Sequence, residues 1–470
     1  MQLTEKIYDA AGLTADERVQ LLDLVQVFNA HAAKNNTKHK YYEGHVTLAD
    51  VNLGLALPDG MSRLEIGCEW GAKAVDVLAA RSMFDGFVGA DGKDAEAMRR
   101  IVDGNRLVAE YSKACRDELK LGATFATLSA DSVIGCKIRF HSEMTASALW
   151  DGAAGRVDCG MSIIDTVKDE TKLGEYRPSM IRFDAADSVV ILKRIDGARW
   201  VADRHPHKMG RPLMVAFPWD ATSAKPFGRS RLKKSIRELI RGYVRTVANA
   251  TIGLEFATAP QKYLLGITDD QYDAVVSQKF RQYIGSIIAA TTNPETGANP
   301  VFGQLPQGTI EPHVQMMRLL ATQFSAATGL SVTDTGVIND ANPSSSDAIL
   351  AQSQTLVLMA EQLNASNGDA LRMVAMMAQA IARNVSLDEL TDEERNVIPH
   401  FKNPAMPSVA VTADAAIKIA SARQGFADTD TFLEMIGFNQ ADIRRIRAQE
   451  VRSRGLAILE GMTNENPVAQ

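Results

Sequence analysis

Residues 227–246 read FGRSRLKKSIRELIRGYVRT, with seven Lys or Arg and a single acid, Glu238, in a chain whose formal net charge is −6. An even spread of 51 cations over 470 residues would place about two in such a window, so the stretch is strongly enriched in positive charge. From Phe227 the sequence has no proline until Pro260, which permits a helix of roughly 45 Å at 1.5 Å per residue. On that helix Lys234, Arg237, Arg241 and Arg245 share one narrow strip, while Leu232, Ile236, Leu239, Ile240, Tyr243 and Val247 fall opposite. This is an amphipathic rod with one basic and one apolar face. By itself the basic face suits a solvated surface or a set of ion pairs as well as a nucleic-acid contact.

Outward from the rod, the texture changes on both sides. Residues 123–225 carry short β-prone runs such as KIRF, PSMIRFD, SVVILKRI and RPLMVAFPW, punctuated by Asp151-Gly152 and Asp196-Gly197, and Asp-Gly between such runs predicts tight hairpins. Before them lie two helical candidates. LTADERVQLLDLVQVFNAHAAKNN has apolar residues at Val19, Leu22, Val25 and Phe28 and a Thr14/Glu17 capping box; AEAMRRIVDGNRLVAEYSKACRDELKLG stops at Gly122. Between them KYYEGHVTLADVNLGLALP reads as a loop.

After the rod, residues 257–311 are rich in Pro and Gly and turn-like. A helix follows to Thr328, opened by Pro312 and stopped by Gly329. Residues 329–345 form a polar loop, unusually long unless functional. Some forty proline-free residues then predict a long helix, capped by Ser344 with Asp347 and kinked at Gly368. The fold class expected is α+β, predominantly α-helical, in two or three domains.

Composition narrows the function. A pI near 5.8 argues against a protein that coats nucleic acid. Cys68, Cys115, Cys136 and Cys159 are far apart, with no CxxC pair, and MQLTEKIYDAAG lacks the layout of a secretory signal, so synthesis in a reducing cytoplasm is expected. No apolar run is long enough to predict a membrane span. GFVGADGKD, 86–94, misses the phosphate-loop pattern by one residue, with Asp94 in the hydroxyl position, and reads as a surface turn. His205-Pro206-His207 offers two metal ligands where zinc needs three or four and reads as a hairpin turn. Asp269-Asp270 and Glu393-Glu394 suit helix starts. No GxSxG elbow or HExxH helix is present, so no catalytic residue, metal site or cofactor is expected.

The order of segments resembles the portal proteins of tailed bacteriophages, in the branch found in phages with long flexible tails. The resemblance rests on YYEGHVTLADVNLGLALP; ARWVADRHPHKMGRPLMVAFPW; FGRSRLKKSIRELI leading through LEFATAPQKYLLG; LLATQFSAATGLSVTDTGV; NPSSSDAILAQSQTL with Glu361 downstream; and PSVAVTADAAIKIASA, six loosely specified motifs in one order. It implies a portal fold assembled as a ring, usually of twelve subunits, at one capsid vertex of the virion. The wing would be 1–225, the stem 226–256 and 312–328, the clip 257–311, the tunnel loop 329–345, a long kinked helix and wing strand 346–412, and the crown 413–470. It also implies non-specific passage of double-stranded DNA during packaging and ejection. The partners would be the terminase large subunit, a head-tail adaptor, and the major capsid and scaffolding proteins, with assembly in the bacterial host cytoplasm and no enzymatic activity. Under that resemblance Lys234, Arg237, Arg241 and Arg245 face either the DNA channel or a neighbouring subunit, and Asp334, Asn339 and Asp340 are the positions expected to reach the channel from the tunnel loop. Another virion component, such as a minor capsid or connector protein, and a terminase-like packaging enzyme remain the alternatives.

Overall fold

The computed structural model describes residues 3–47, 50, 66–89, 95–168, 174, 176–195, 199–258, 262–268, 270, 292, 294, 297, 299–304, 309–337, 346–405, 409–438 and 440–464. The chain divides into two compact units, 1–404 and 405–470, and the mixed helix-and-sheet content agrees with the α+β class expected.

The first unit opens with α1 (Ala15–Tyr42), held by the anticipated capping box: Thr14 N donates to Glu17 Oε2 at 2.8 Å, and Glu17 N to Thr14 Oγ1 at 3.3 Å. The second half of the apolar stripe read from the sequence is buried, at Val25 and Phe28, but the first half is not: Val19 is 61% and Leu22 36% exposed, and Leu21 and Leu24 are buried in their place. A strict spacing of three drifts off one face of a helix with 3.6 residues per turn, and Leu21-Leu22 offers two choices between which the sheet beneath selects. There follow α2 (Trp70–Ala79), β1 (Phe84–Val88), α3 (Glu96–Asn105) and α4 (Leu107–Leu121). The second helical candidate is thus broken at Arg106, whose φ of 51° cannot continue a right-handed helix. Phe84–Val88 takes the first part of the supposed surface turn 86–94 into a strand; Ala90–Asp94 lie outside the described residues.

The β-rich region consists of β2 (Ala123–Asp131), β3 (Gly135–Ser142), β4 (Ala146–Asp151), β5 (Arg156–Lys168), β6 (Tyr176–Asp184), β7 (Ser188–Ile195), β8 (Arg199–Pro206) and β9 (Met214–Pro218). Strands β4 to β8 form an antiparallel meander, and β3-β2-β9 a second antiparallel sheet. The buried face of α1 packs on the meander, against Met161, Ile163, Ile181, Phe183, Val190, Leu192 and Trp200. Each such fully buried side chain contributes about 1.5–3 kcal/mol. A buried ion pair lies within β6, where Arg182 reaches both Asp184 oxygens at 2.6–3.0 Å, and Arg182 links the two sheets by donating to the Leu128 carbonyl of β2 at 2.5 Å. At the β4–β5 turn the positive φ of 63° falls on Gly155, not Gly152; Asp151 Oδ1 accepts from Ala153 N and Ala154 N at 2.8 and 3.0 Å instead. The Asp-Gly signal found the hairpin and misjudged its loop length. Asp196-Gly197 lies outside the described residues. His205 and Pro206 are no hairpin turn but the end of β8, paired with Val189 and Ser188.

The rod is α5 (Lys234–Thr258), about 38 Å long, and it starts seven residues later than expected. Residues 227–233 are irregular because Arg231 turns inward. A ladder of β10 (Lys262–Leu265) with β11 (Val301–Gln304) leads to α6 (Glu311–Thr328), which is stopped at Gly329 as predicted. Helices α5 and α6 approach closely at Gly242, where an added Cβ would stand 3.2 Å from Leu320 Cδ2. Next come α7 (Ser346–Arg383), unbroken through Gly368, then α8 (Asp392–Arg395) and β12 (Ile398–Phe401), which pairs with β1. Ser344 lies outside the described residues. The main core gathers α2, α4, α5, α6, α7 and the smaller sheet around Trp70, Tyr111, Phe217 and Phe324.

The second unit contains α9 (Val409–Ala422), α10 (Asp430–Ile436) and α11 (Gln440–Asn464). Within it Arg447 joins Asp430 at 2.7 Å, Glu450 at 2.8 Å and the Asp428 carbonyl at 2.5 Å.

Candidate functional site

Of the apolar face read from the sequence, Leu232, Ile236 and Ile240 are at 3% exposure or less, while Leu239, Tyr243 and Val247 are half-buried; the buried stripe continues through Val244 and Ala248. Its basic face is divided. Lys234 is open to solvent and Arg245 half-buried. Arg237 donates to the Leu232 carbonyl at 3.1 Å, and its guanidinium stands 6.0 Å from the centre of the Tyr41 ring, within cation–π range. Arg241 Nε donates to the Tyr41 hydroxyl at 2.6 Å, and its Nη1 to Glu238 at 3.2 Å. That hydrogen bond to Tyr41 raises the Arg241 pKa further. Two of the four predicted cations therefore grip the end of α1 in the same subunit.

This contact brings up a second basic stretch, KNNTKHK at 34–40, which the sequence reading passed over although its composition gave the signal. Lys38 donates to the Leu121 carbonyl and to Asn35 Oδ1 at 3.0 Å, and stands 3.8 Å from Glu143. Burial, with the nearby charges of Arg237 and Lys34, holds its ammonium below the usual lysine range despite Glu143. Burial also pushes the Glu143 carboxyl up to about 7, against the opposing pull of Lys38. Lys40 is neutralised by Asp50 at 2.7 Å. The composite face thus keeps Lys34, Lys234 and Arg245 as its outward charges.

Arg231, counted from sequence as part of the rod, belongs to the core. At 7% exposure it donates from Nε to the Ala74 carbonyl and from Nη2 to that of Thr328, at the C-terminus of α6. Desolvation pushes its pKa down to about 10, and the carbonyl end of the helix dipole offsets part of that cost. One side chain so fastens α2 and α6 to the entrance of α5.

The described part of the 329–345 loop is equally tied. Trp70, 4% exposed, lies against Tyr243 of α5 (centroids 4.3 Å apart) and Phe324 of α6 (4.7 Å), and its indole N–H donates to the Thr335 carbonyl at 3.0 Å. Gly329 and Gly336, with φ of 71° and 75°, bracket the segment. Asp334 Oδ2 accepts from Ser331 N at 3.1 Å and Ser331 Oγ at 2.8 Å. It also borders a cavity of about 390 Å³ together with Gly67, Lys73, Trp70, Tyr243 and Thr335. Asn339 and Asp340 lie outside the described residues. Trp70 was missed because a lone tryptophan at a helix start carries no signal in sequence.

Among the described residues no group of three or more His, Cys, Asp or Glu is placed to hold a metal ion, and no helix is long and apolar enough to cross a membrane. The four cysteines are free and buried. The arrangement offers charge and mechanical linkage: an outward cationic strip, and aromatic and guanidinium ties between α1, α2, α5, α6 and the loop.

No protein-family model matches the chain. It is similar to the portal protein of Mycobacterium phage D29, 23% identical over 474 aligned positions that cover 96% of this chain and 93% of that one. Among solved structures it aligns with a chain in the neck of the native GTA particle computed with C12 symmetry, at 10% identity and a TM-score of 0.45, covering 78% of this chain and 89% of that one. A chain in the neck of the empty GTA particle computed with C6 symmetry gives 10% identity and a TM-score of 0.44, covering 76% and 86%. Over 96% of its length the chain is thus similar to a phage portal protein, the family that the ordered motifs of its sequence resemble.

Proposed function

We propose that the chain is a portal subunit: a structural protein that assembles into a ring, of about twelve copies by the family resemblance, at one vertex of a phage capsid, through which double-stranded DNA is packaged and ejected. The observation that carries this reading is the alignment with a portal protein over 96% of the chain. The wing would be 1–225 with part of 346–412, the stem α5 and α6, the clip 257–311, the tunnel loop 329–345 and the crown 413–470. The clip would dock the terminase large subunit, which supplies ATP hydrolysis, and later the head-tail adaptor; the major capsid and scaffolding proteins would surround the wing during assembly in the host cytoplasm.

The charge distribution fits a conduit. Each phosphate neutralised releases counterions and adds affinity, so a channel lined with free cations would retain DNA. Pairing Arg241 with Tyr41 and Glu238, and Lys40 with Asp50, leaves few cations to touch a passing backbone. Lys234 and Arg245 are the rod residues best placed for transient, sequence-independent contact. Electron-microscope class averages of the purified chain test the reading. Rings with a central hole support it; a stable monomer at high concentration, or ATP turnover by the chain alone, counts against it.

A further inference from the structure

Deep in the first unit, α4 and α7 meet through a polar cluster that the conduit does not use. Glu118 and Asn367 are both completely buried. Asn367 Nδ2 donates to Glu118 Oε2 at 2.8 Å and to the Tyr111 hydroxyl at 2.9 Å, and that hydroxyl shares a hydrogen bond with Ser82 Oγ at 2.8 Å. Two oxygens in direct neighbours are left over: Glu118 Oε1 and Asn367 Oδ1 have no hydrogen-bond partner. Both are pure acceptors as long as Glu118 is ionised.

Among the described residues no cation compensates a charge there. The basic groups of the surrounding elements are committed elsewhere: Lys38 to Glu143 and the Leu121 carbonyl, Arg116 to Asp76 at 3.8 Å, Lys120 to Asp117 at 2.7 Å, Arg231 to the Ala74 and Thr328 carbonyls, and Arg372 to the Arg395 carbonyl. Among the described residues the titratable groups interacting with Glu118 are the Tyr111 hydroxyl and Cys115 thiol of its own helix, both kept neutral by burial; across from it α7 bonds to it through the Asn367 amide. A buried carboxylate without a partner costs several kcal/mol and takes up a proton instead. A proton on Oε1 makes one O–H donor, and the amide oxygen of Asn367 is the acceptor on the same partner, so an acid–amide pair replaces two orphaned acceptors.

We propose that Glu118 stores a proton in the folded protein and acts as an alkali-sensitive clasp between α4 and α7. Loss of that proton would set an uncompensated negative charge beside Asn367 Oδ1 and break the pair. Desolvation pushes the carboxyl well above its ordinary range. The sign follows: an acid whose pKa is higher folded than unfolded stabilises the fold fully below its unfolded pKa, and that stabilisation is lost as pH rises through the folded value.

The test compares thermal melts of the full chain with those of Glu118→Gln, whose amide N–H₂ mimics the protonated acid. Both are measured in a Glu143→Gln background, to remove the other raised carboxyl, from about pH 4 to about pH 10. The variant is expected to match its parent near pH 4, where the acid carries its proton both folded and unfolded, and to become the more stable of the two as pH rises. A variant that melts lower than its parent near pH 4, or fails to fold, while parent and variant respond alike to rising pH, overturns the clasp. An infrared difference spectrum of parent minus variant at neutral pH gives a second readout: a protonated carboxyl C=O band is expected, and carboxylate bands alone refute the stored proton.

Discussion

Replacing Trp70 by Phe isolates one hydrogen bond from a large packing contribution. Phe keeps a ring against Tyr243 and Phe324, at 4.3 and 4.7 Å in the parent, but loses the indole N–H that reaches Thr335. The hydrogen bond itself is worth about 0.5–1.5 kcal/mol net, and leaving the buried Thr335 carbonyl without a donor adds about 1–3 kcal/mol. Because Gly329 and Gly336 bracket the segment with backbone conformations open to rearrangement, part of that cost is relieved by local opening at 331–336. A local loss of about 1.4 kcal/mol lowers hydrogen-exchange protection about tenfold. Amide exchange read by mass spectrometry should therefore show a tenfold or greater loss of protection confined to 331–336, with only a small fall in global melting temperature. Unchanged exchange in that segment, or a loss spread evenly over the first unit, would refute the idea that Trp70 positions the loop through its N–H. Trp70→Ala should in addition cost about 3–5 kcal/mol globally, which makes it the poorer experiment.

Arg182→Ala should destabilise the chain by about 3–5 kcal/mol, since it strands Asp184 at 0% exposure; urea unfolding should show a far smaller loss for Arg182→Met with Asp184→Leu together. Glu143, raised to about 7 chiefly by burial, stabilises the fold fully below its unfolded value near 4.5 and loses that contribution as pH rises through about 7; denaturant midpoints of Glu143→Gln should not show that decline. Reversing Lys234 and Arg245 together to Glu should leave the subunit folded, because neither makes a hydrogen bond or ion pair among the described residues, and should weaken DNA binding by assembled rings with a shallower salt dependence; an unchanged salt slope would remove them from the DNA path.

Local signals survived the passage from sequence to structure best. The Thr14/Glu17 box, the Gly329 stop and the apolar face of α5 depend on neighbours within one or two turns, and each stands where it was read. Readings that needed a tertiary partner fared worse. The first half of the α1 stripe falls on Leu21 and Leu24 and not on Val19 and Leu22, because only the meander beneath distinguishes Leu21 from Leu22. The start of α5 moved from 227 to 234 because Arg231 finds its carbonyl partners on α2 and α6, more than ninety residues away in either direction along the chain. Trp70, the second basic stretch at 34–40 and the Glu118–Asn367 pair are all long-range constructions, and no spacing rule within a single segment encodes them.

The same long-range contacts change how the basic rod is to be probed. Arg241→Glu looks from sequence like a clean choice between channel and interface, because on a bare helix all four cations are equivalent. In the folded chain the new carboxylate would lose the hydrogen bond to Tyr41 and meet Glu238 one turn away, a like-charge pair on one helix face. A failure of ring assembly in that variant would then report a loosened α1, not a lost subunit contact. Lys234 and Arg245 carry no such burden, so reversing them leaves the α1 clamp of Arg237 and Arg241 in place. The division of the strip is thus itself an argument about function: the cations at its middle set the shape of the subunit, and those at its ends are left to meet whatever lies outside it.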